Sequence, residues 1–434
     1  MFQPKKRSIA LEAIISSKIG SKNRKRIREK TLIATVDIGM KLNTGYCRCP
    51  DGSDFKVFEF SNTWFGFQQF WNYVSGAKKR NGLRDVIVGI ESTGPYGLPL
   101  IHYLRKKPVN LVQVNPMHTK RIKELSGNSP NKTDYKDPKV IADIIELGHS
   151  LSLIVPEGPV AELRRLVHAR ERSLQKTTVN WNQLQSLVYQ VFPEFIDVMK
   201  DIKTKSARYL LKHYPNPGDI VKLGVANLSR ELKKVSRGKL GETRAQALYD
   251  AAKRSVGVEE GRESNLFEQK QVSSLIKVSE NFVCEAEEQM SRYLSGVPYS
   301  QYLLSLKGLG LVSVAGLIGE AGDFTKFKTQ SEMIKLAGLD LFEVSSGKHQ
   351  GVRRISKRGR PLMRKILFFA ALNVVRQGGI FYDRYQKYLE SGMVKIKALI
   401  AIARKLLALL FALARDQTTY KKDFMQRSPL LKAA

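Results

Sequence analysis

The chain has 434 residues, enough for two or three domains that each bury a core. Its apolar stretches, around Val86 to Ile90 and Leu399 to Leu413, are too short or too interrupted by charge to cross a bilayer, so no membrane anchor is expected. Lys and Arg number 73 against 40 Asp and Glu, a net charge of +33 that repels itself unless a polyanion shares the surface. The basic residues lie in several segments instead of on one amphipathic face, which points to nucleic acid and away from an anionic membrane. No apolar core or small-residue cleavage site follows the basic N-terminus, so the expected compartment is the cytoplasm, at the nucleoid. Cys47, Cys49 and Cys284 form neither a disulfide framework nor a zinc knuckle.

Residues 1–30 carry ten basic side chains against Glu12 and Glu29 and read as a basic arm ordered by nucleic acid. A folded domain over 31–155 then begins with a β-branched strand, Thr31 to Ile38. Thr44 to Arg48 and Phe55 to Phe60 follow as strands, with Asp51-Gly52 as the turn between them. Helical spacing over Trp64 to Val74, a buried strand Val86 to Ile90, a helix Leu98 to Arg105, a strand Val109 to Val114 and a helix after Pro116 come next. A meander followed by alternating strand and helix is the element order of a ribonuclease H-like α/β fold.

Residues 156–297 read as a coiled-coil arm. Leu163, Val167, Leu174, Trp181, Leu184, Val188 and Val191 recur near heptad spacing, as do Val272, Leu275, Ser279, Phe282, Ala286 and Tyr293, which predicts two long antiparallel helices. Pro193 to Glu268 between them is a basic helical insertion without an assigned role. From 298 to 434 a helical C-terminal domain is expected. Gly308 and Gly310 sit between apolar helical stretches, the pattern of a helix-hairpin-helix whose backbone N–H groups can reach a phosphate. A tight turn between two core helices would give the same pattern.

Asp37 ends the first strand and Glu91 ends the buried strand, so neighbouring strands can bring the two together. Asp134 and Asp137, three residues apart, can share a helix face where Asp137 opens the helix through Leu147. Singly, these acids read as strand ends, a cap and a dipole partner. Together they would repel unless cations held them, and hard oxygen donors suit Mg²⁺ or Mn²⁺. Two such ions about 4 Å apart serve in-line displacement at phosphorus.

In Val36-Asp37-Ile38-Gly39, Ile90-Glu91-Ser92-Thr93-Gly94-Pro95-Tyr96, Val114-Asn115-Pro116 and Asn131-Lys132-Thr133-Asp134-Tyr135-Lys136-Asp137 the chain resembles the DEDD transposases of insertion-sequence family 110, bridge-RNA-guided recombinases. The likeness covers most of 31–192 and 299–415. It continues through Gly308-Leu309-Gly310, Leu336-Ala337-Gly338-Leu339, Ser345-Ser346-Gly347-Lys348, Ile355-Ser356-Lys357-Arg358-Gly359 and Leu362-Met363-Arg364. The resemblance implies a RuvC-like domain whose Mg²⁺-binding tetrad is Asp37, Glu91, Asp134 and Asp137, and a C-terminal transposase domain whose serine forms a phosphate ester with DNA. The Ser-Gly-Lys match assigns the nucleophile to Ser346, and spacing back from Ile355-Ser356-Lys357 leaves Ser345 as the alternative. It also implies a noncoding bridge RNA, DNA of the element ends and target as partners, and a homo-oligomer, dimer to tetramer. The family's members are typically shorter, and the basic arm and part of Pro193 to Glu268 have no clear counterpart.

By composition alone Ser345-Ser346-Gly347 is a solvated turn. Its surroundings are not ordinary: Lys348, Arg353, Arg354, Lys357, Arg358, Arg360, Arg364 and Lys365 follow without an acid, and such a run holds phosphates. A neutral serine needs help to lose its proton, and the carboxylate-held metal is the expected activator, which requires the two domains to meet. Two other readings remain open on the residues. A RuvC-like nuclease would resolve branched DNA by hydrolysis without the serine, and a binding protein would carry a catalytically dead cluster.

Overall fold

The computed structural model describes residues 30–91, 94–126, 137–153, 155–343, 351 and 353–421, and they form two compact units that divide between residues 154 and 155. The first is built on a sheet of order β3-β2-β1-β4-β5-β6. Its elements are β1 (Thr31–Asp37), β2 (Leu42–Arg48), β3 (Phe58–Ser61), α1 (Trp64–Arg80), β4 (Asp85–Glu91), α2 (Leu98–Leu104), β5 (Asn110–Val114), α3 (Pro116–Ser126), α4 (Asp137–Glu146) and β6 (Leu151–Ser152). β1, β4 and β5 are parallel, while β2, β3 and β6 run antiparallel to their neighbours.

The third strand starts three residues later than the sequence pattern predicts. Asp54 bridges to Arg48, and the Phe55 amide donates to the Cys47 carbonyl, so this stretch folds back on the end of β2 before regular pairing resumes at Phe58. The short β6 leaves no two-residue alternation to read and was not expected. Thr63 caps α1 by accepting from the Gly66 amide. Phe70 of α1 packs on Phe58 and Phe60 of β3 and covers one face of the sheet. The other face carries Ile33, Tyr46, Ile87, Val112 and Val114, which α4 covers with Val140, Ile141, Ile144 and Ile145. Gly89 permits that approach, since a Cβ there would stand 2.2 Å from Ile145 Cδ1.

The second unit begins with α5 (Gly158–Val191), followed by α6 (Pro193–Met199), α7 (Lys205–His213), α8 (Pro217–Ser236), α9 (Glu242–Lys253) and α10 (Arg262–Ser295). Hydrogen bonds from Ser173 to the Ser279 carbonyl, Arg170 to Glu287 and Gln183 to Glu268 fix α5 and α10 as an antiparallel pair. The expected seam of α10 is corrected. Val272 and Ala286 are buried, but Leu275, Phe282 and Tyr293 are exposed, and Ile276, Met290 and Leu294 lie inside. Two apolar series descend this helix, and spacing alone does not say which one meets the partner. The insertion folds as α6–α9, with a core that joins Phe192, Phe195, Leu210, Leu228 and Leu248 to Trp181 and Leu184 of α5 and to Val272 and Ile276 of α10.

The chain continues as α11 (Ser300–Leu304), α12 (Leu311–Ala321), α13 (Gln330–Ala337), β7 (Leu341–Phe342), β8 (Arg354–Ile355), α14 (Pro361–Val374), α15 (Tyr382–Glu390) and α16 (Lys395–Asp416). Their core includes Leu163 and Val167 of α5 and Met290 and Leu294 of α10. The base of the expected arm and the expected C-terminal domain therefore share one interior. α16 is apolar on most of its circumference because it is the central helix of this unit. No helix among the described residues is long and apolar enough to cross a membrane.

Candidate active site

Residue alternation decides where the carboxylates of the first unit point. Ile33 and Ile87 face α4, so Thr35 and Asp37 on β1, and Gly89 and Glu91 on β4, face the same way. β1 and β4 are parallel with Val36 opposite Ile90, which sets Asp37 and Glu91 side by side at the carboxyl ends of the two central strands. Asp137 is the first residue of α4, largely buried, and favoured there by the helix dipole. The hydroxyl of Thr35 donates to the Pro138 carbonyl at 2.7 Å and docks this first turn on β1. Asp37, Glu91 and Asp137 thus occupy one face at one end of the sheet. Asp134 lies outside the described residues. Among the described residues no group of three His, Cys, Asp or Glu side chains is close enough to hold an ion by itself.

The far end of α4 is held by charge. Arg48 on β2 reaches Asp143 at 2.6 Å, Asp54 at 2.8 Å and Glu146 at 3.2 Å. Burial opposes the arginine's charge, but its bonds to Asp143, Asp54 and Tyr46 outweigh that and hold its pKa above the ordinary value. Tyr46 donates to Asp54, and burial together with that bond pushes the phenol's pKa upward.

In the second unit β7 and β8 pair antiparallel, Leu341 with Ile355 and Phe342 with Arg354, and form the stem of a hairpin that encloses residues 343–353. Ser345, Ser346 and Lys348 fall in that span, outside the described residues. The stem is firmly tied. Ser356 donates to Asp340, the Lys357 amide bonds the Gly338 carbonyl at 3.0 Å, and the Arg360 amide bonds the Leu336 carbonyl at 2.8 Å. Gly338 (φ 66°) ends α13 in the left-handed region and lies so close to Gly359 that a Cβ would stand 2.9 Å from the Gly359 amide nitrogen.

The basic run that follows divides into two groups. Arg353, Arg354, Lys357 and Arg358 are exposed, and Arg353 pairs with Glu343 at 2.8 Å. Arg360 and Arg364 turn inward, with Arg364 donating to the Ala337 carbonyl at 3.0 Å. Burial, and then the nearby Arg164 charge, lower the Arg360 pKa to about 10 against the pull of Glu320. Glu320, 2% exposed on α12, stands 2.8 Å from His168 Nε2 without hydrogen-bond alignment. Burial opposes its charge, but His168, Arg164 and Arg360 together hold its carboxyl below the ordinary range. This buried cluster escaped sequence reasoning, although a lone acid inside the apolar stretch Leu311–Ala321 was its visible trace.

Gly308 (φ 101°) and Gly310 make the turn between α11 and α12. A Cβ at Gly308 would stand 3.2 Å from Val374 Cγ1, whereas one at Gly310 would meet no atom within 4 Å. The first glycine serves the close packing of the turn, and the second leaves the start of α12 open.

Comparison with known proteins covers both units. Residues 34–193 match a family model described as "Transposase", the DEDD model of IS110 type, and residues 300–386 match one described as "Transposase IS116/IS110/IS902 family". The chain is 28% identical over 297 residues to the "Insertion element IS110 uncharacterized 43.6 kDa protein" of Streptomyces coelicolor, covering 67% of this chain and 72% of that one. It is 22% identical over 302 residues to the "Insertion element IS116 uncharacterized 44.8 kDa protein" of Streptomyces clavuligerus, covering 69% and 75%. The "Transposase for insertion sequence element IS1111A" of Coxiella burnetii is 25% identical over 138 residues, or 31% of this chain and 38% of that protein.

A mixed α/β unit with acids at its strand ends, joined to a helical unit matched by a second model, defines a DNA transposase of DEDD type. The two models together span more than half of the chain, which belongs to the IS110 family of insertion-sequence transposases.

Proposed function

We propose that this transposase cleaves and rejoins DNA through a serine ester, with Asp37, Glu91, Asp134 and Asp137 as ligands for Mg²⁺ or Mn²⁺ in a ribonuclease H-like domain. The observation that carries the reading is that the strand ends Asp37 and Glu91 and the helix start Asp137 share one face at one end of the sheet. The order β3-β2-β1-β4-β5, with three parallel strands flanked by a meander, supports the ribonuclease H-like assignment. An all-carboxylate donor set fits a hard divalent cation. When bound, such a cation supplies Lewis-acid stabilisation of charge at phosphorus.

Ser346, with Ser345 as the alternative, supplies the nucleophile from the hairpin between β7 and β8. As the serine Oγ–P bond forms, one P–O bond of the strand breaks and the departing sugar oxygen takes up a proton. Reversal by another sugar hydroxyl rejoins DNA and releases the serine, which conserves the energy of the broken bond. Lys348, Arg353, Arg354, Lys357 and Arg358 hold strand phosphates beside the serine, and the turn at Gly308 and Gly310, open at its second glycine, contacts a further phosphate. Arg360 and Arg364, turned inward, brace the hairpin's base. The chemistry requires carboxylates and serine to meet, within one copy or between copies of a homo-oligomer, dimer to tetramer. In this reading a noncoding bridge RNA selects the DNA, and the charge of +33 accommodates both polyanions.

Denaturing gels of protein incubated with nicked element-junction DNA, Mg²⁺ and co-expressed RNA test the proposal. Wild type is expected to yield a covalent adduct that Asp37→Ala and one of Ser345→Ala or Ser346→Ala abolish. Cleavage without adduct, unaffected by either serine change, would replace it with a hydrolytic nuclease.

A further inference from the structure

We propose that Thr35 is a positioning residue of the carboxylate site, its hydroxyl setting Asp137 against Asp37. The inference deepens, and rests on, the reading that these carboxylates hold divalent cations. Thr35 has no exposed surface and lies in a strand whose other residues up to Val36 are buried as well. A hydroxyl in such a place needs a partner, and Thr35 Oγ1 finds it 103 residues away in the Pro138 carbonyl at 2.7 Å. That carbonyl belongs to the first turn of α4, immediately after Asp137, whose Cα is about 3.8 Å from that of Pro138. On β1, Thr35 and Asp37 project from the same face about 6.7 Å apart. One buried hydrogen bond therefore fixes where the carboxylate of α4 stands relative to that of β1.

Other contacts of α4 hold the helix as a whole: Val140 joins the core beneath the sheet, and Lys139 lies over the Tyr46 ring. Ile141 and Ile145 pack over Gly89 from the middle to the last turn of the helix, and Arg48 grips Asp143 and Glu146 in its last turn. Removal of the Thr35 hydroxyl leaves those anchors in place and loosens the tie between the first turn and β1. Ligand distances in a metal site must hold within about 0.2 Å, so a small drift there is felt as lost affinity. Partners that orient ligands are commonly worth a 10- to 100-fold change in metal affinity.

The test is Mn²⁺ binding to the full-length protein, followed by the electron paramagnetic resonance of free Mn²⁺, for wild type, Thr35→Val, Thr35→Ser and Asp37→Ala. Circular dichroism confirms that each variant is folded. Thr35→Val keeps the side chain's shape and is expected to weaken Mn²⁺ binding by about tenfold or more, with Mg²⁺-dependent cleavage regained at higher metal concentration. Thr35→Ser, which keeps the hydroxyl, is expected to bind as wild type. Wild-type affinity in Thr35→Val alongside lost binding in Asp37→Ala would overturn the tether and leave the carboxylate reading standing. Equal loss in Thr35→Val and Thr35→Ser would assign the effect to packing and overturn it too. Wild-type binding in Asp37→Ala would remove the carboxylate reading and the tether together.

Discussion

The two ends of the proposed chemistry are built in opposite ways. In the first unit the acids stand on regular elements: Asp37 and Glu91 are fixed by strand pairing, and Asp137 by a helix docked at both ends. In the second, the proposed serines lie in sequence between two paired strands of two residues each, tied at their base where Asp340, Gly338, Leu336 and Ala337 receive Ser356, Lys357, Arg360 and Arg364. A site on sheet ends is set by backbone geometry, while a site on a hairpin is set by the few bonds beneath it. Ligands for a cation need the first kind of support, and a nucleophile that must reach a strand of DNA is served by the second.

Each end is open to test by substitution. The largest effect is expected at the acids: Asp37→Asn, which keeps size and removes charge, should lower strand cleavage by on the order of 10⁴-fold, read in a Mg²⁺-dependent cleavage assay. Wild-type cleavage in that variant would show the sheet end to be structural only. Next is Glu320→Gln, which leaves Arg164, Arg360 and His168 around a neutral side chain and should cost about 3 kcal/mol at pH 7 in urea unfolding. The Glu320 pKa lies below its ordinary 4.5, so the stability it gives is complete above that pH and is lost as pH falls through the folded value. The gap between wild type and Glu320→Gln should therefore narrow on acidification below 4.5. A gap independent of pH would assign the loss to packing.

The corrected seam of α10 gives a comparable, purely structural contrast. Ile276→Ala should destabilise by about 2–4 kcal/mol, whereas Leu275→Ala, one residue away and exposed, should change stability by less than about 0.5 kcal/mol. Gly338→Ala should cost about 1–2 kcal/mol, from its positive φ and the close Gly359 amide. Its cleavage should fall by more than its stability explains, because the hairpin's base shifts with it.

Most of the first unit was legible because its signals are local. A β-branched run that stops at an acid predicts both a strand and an end, and Asp37 and Glu91 carried that signal openly. Thr35 carried none, since threonine is an ordinary strand former and its partner is remote in sequence. The same limit hid Glu320, whose partner His168 is on another helix, and the inward turn of Arg360 and Arg364, which a charge count reads as two more phosphate contacts. In α10 periodicity found the helix and misplaced its seam, because Leu275, Phe282 and Tyr293 are as apolar as Ile276, Met290 and Leu294. Spacing identifies a helix, and only the packed partner selects its face.

The most direct test of the central claim is peptide mapping by mass spectrometry of protein trapped on junction DNA, in Mg²⁺ and in EDTA. The account predicts a nucleotide ester on Ser346, or on Ser345, that is present with Mg²⁺ and absent with EDTA or in Asp37→Asn. DNA cleaved in Mg²⁺ with both serines unmodified would contradict it.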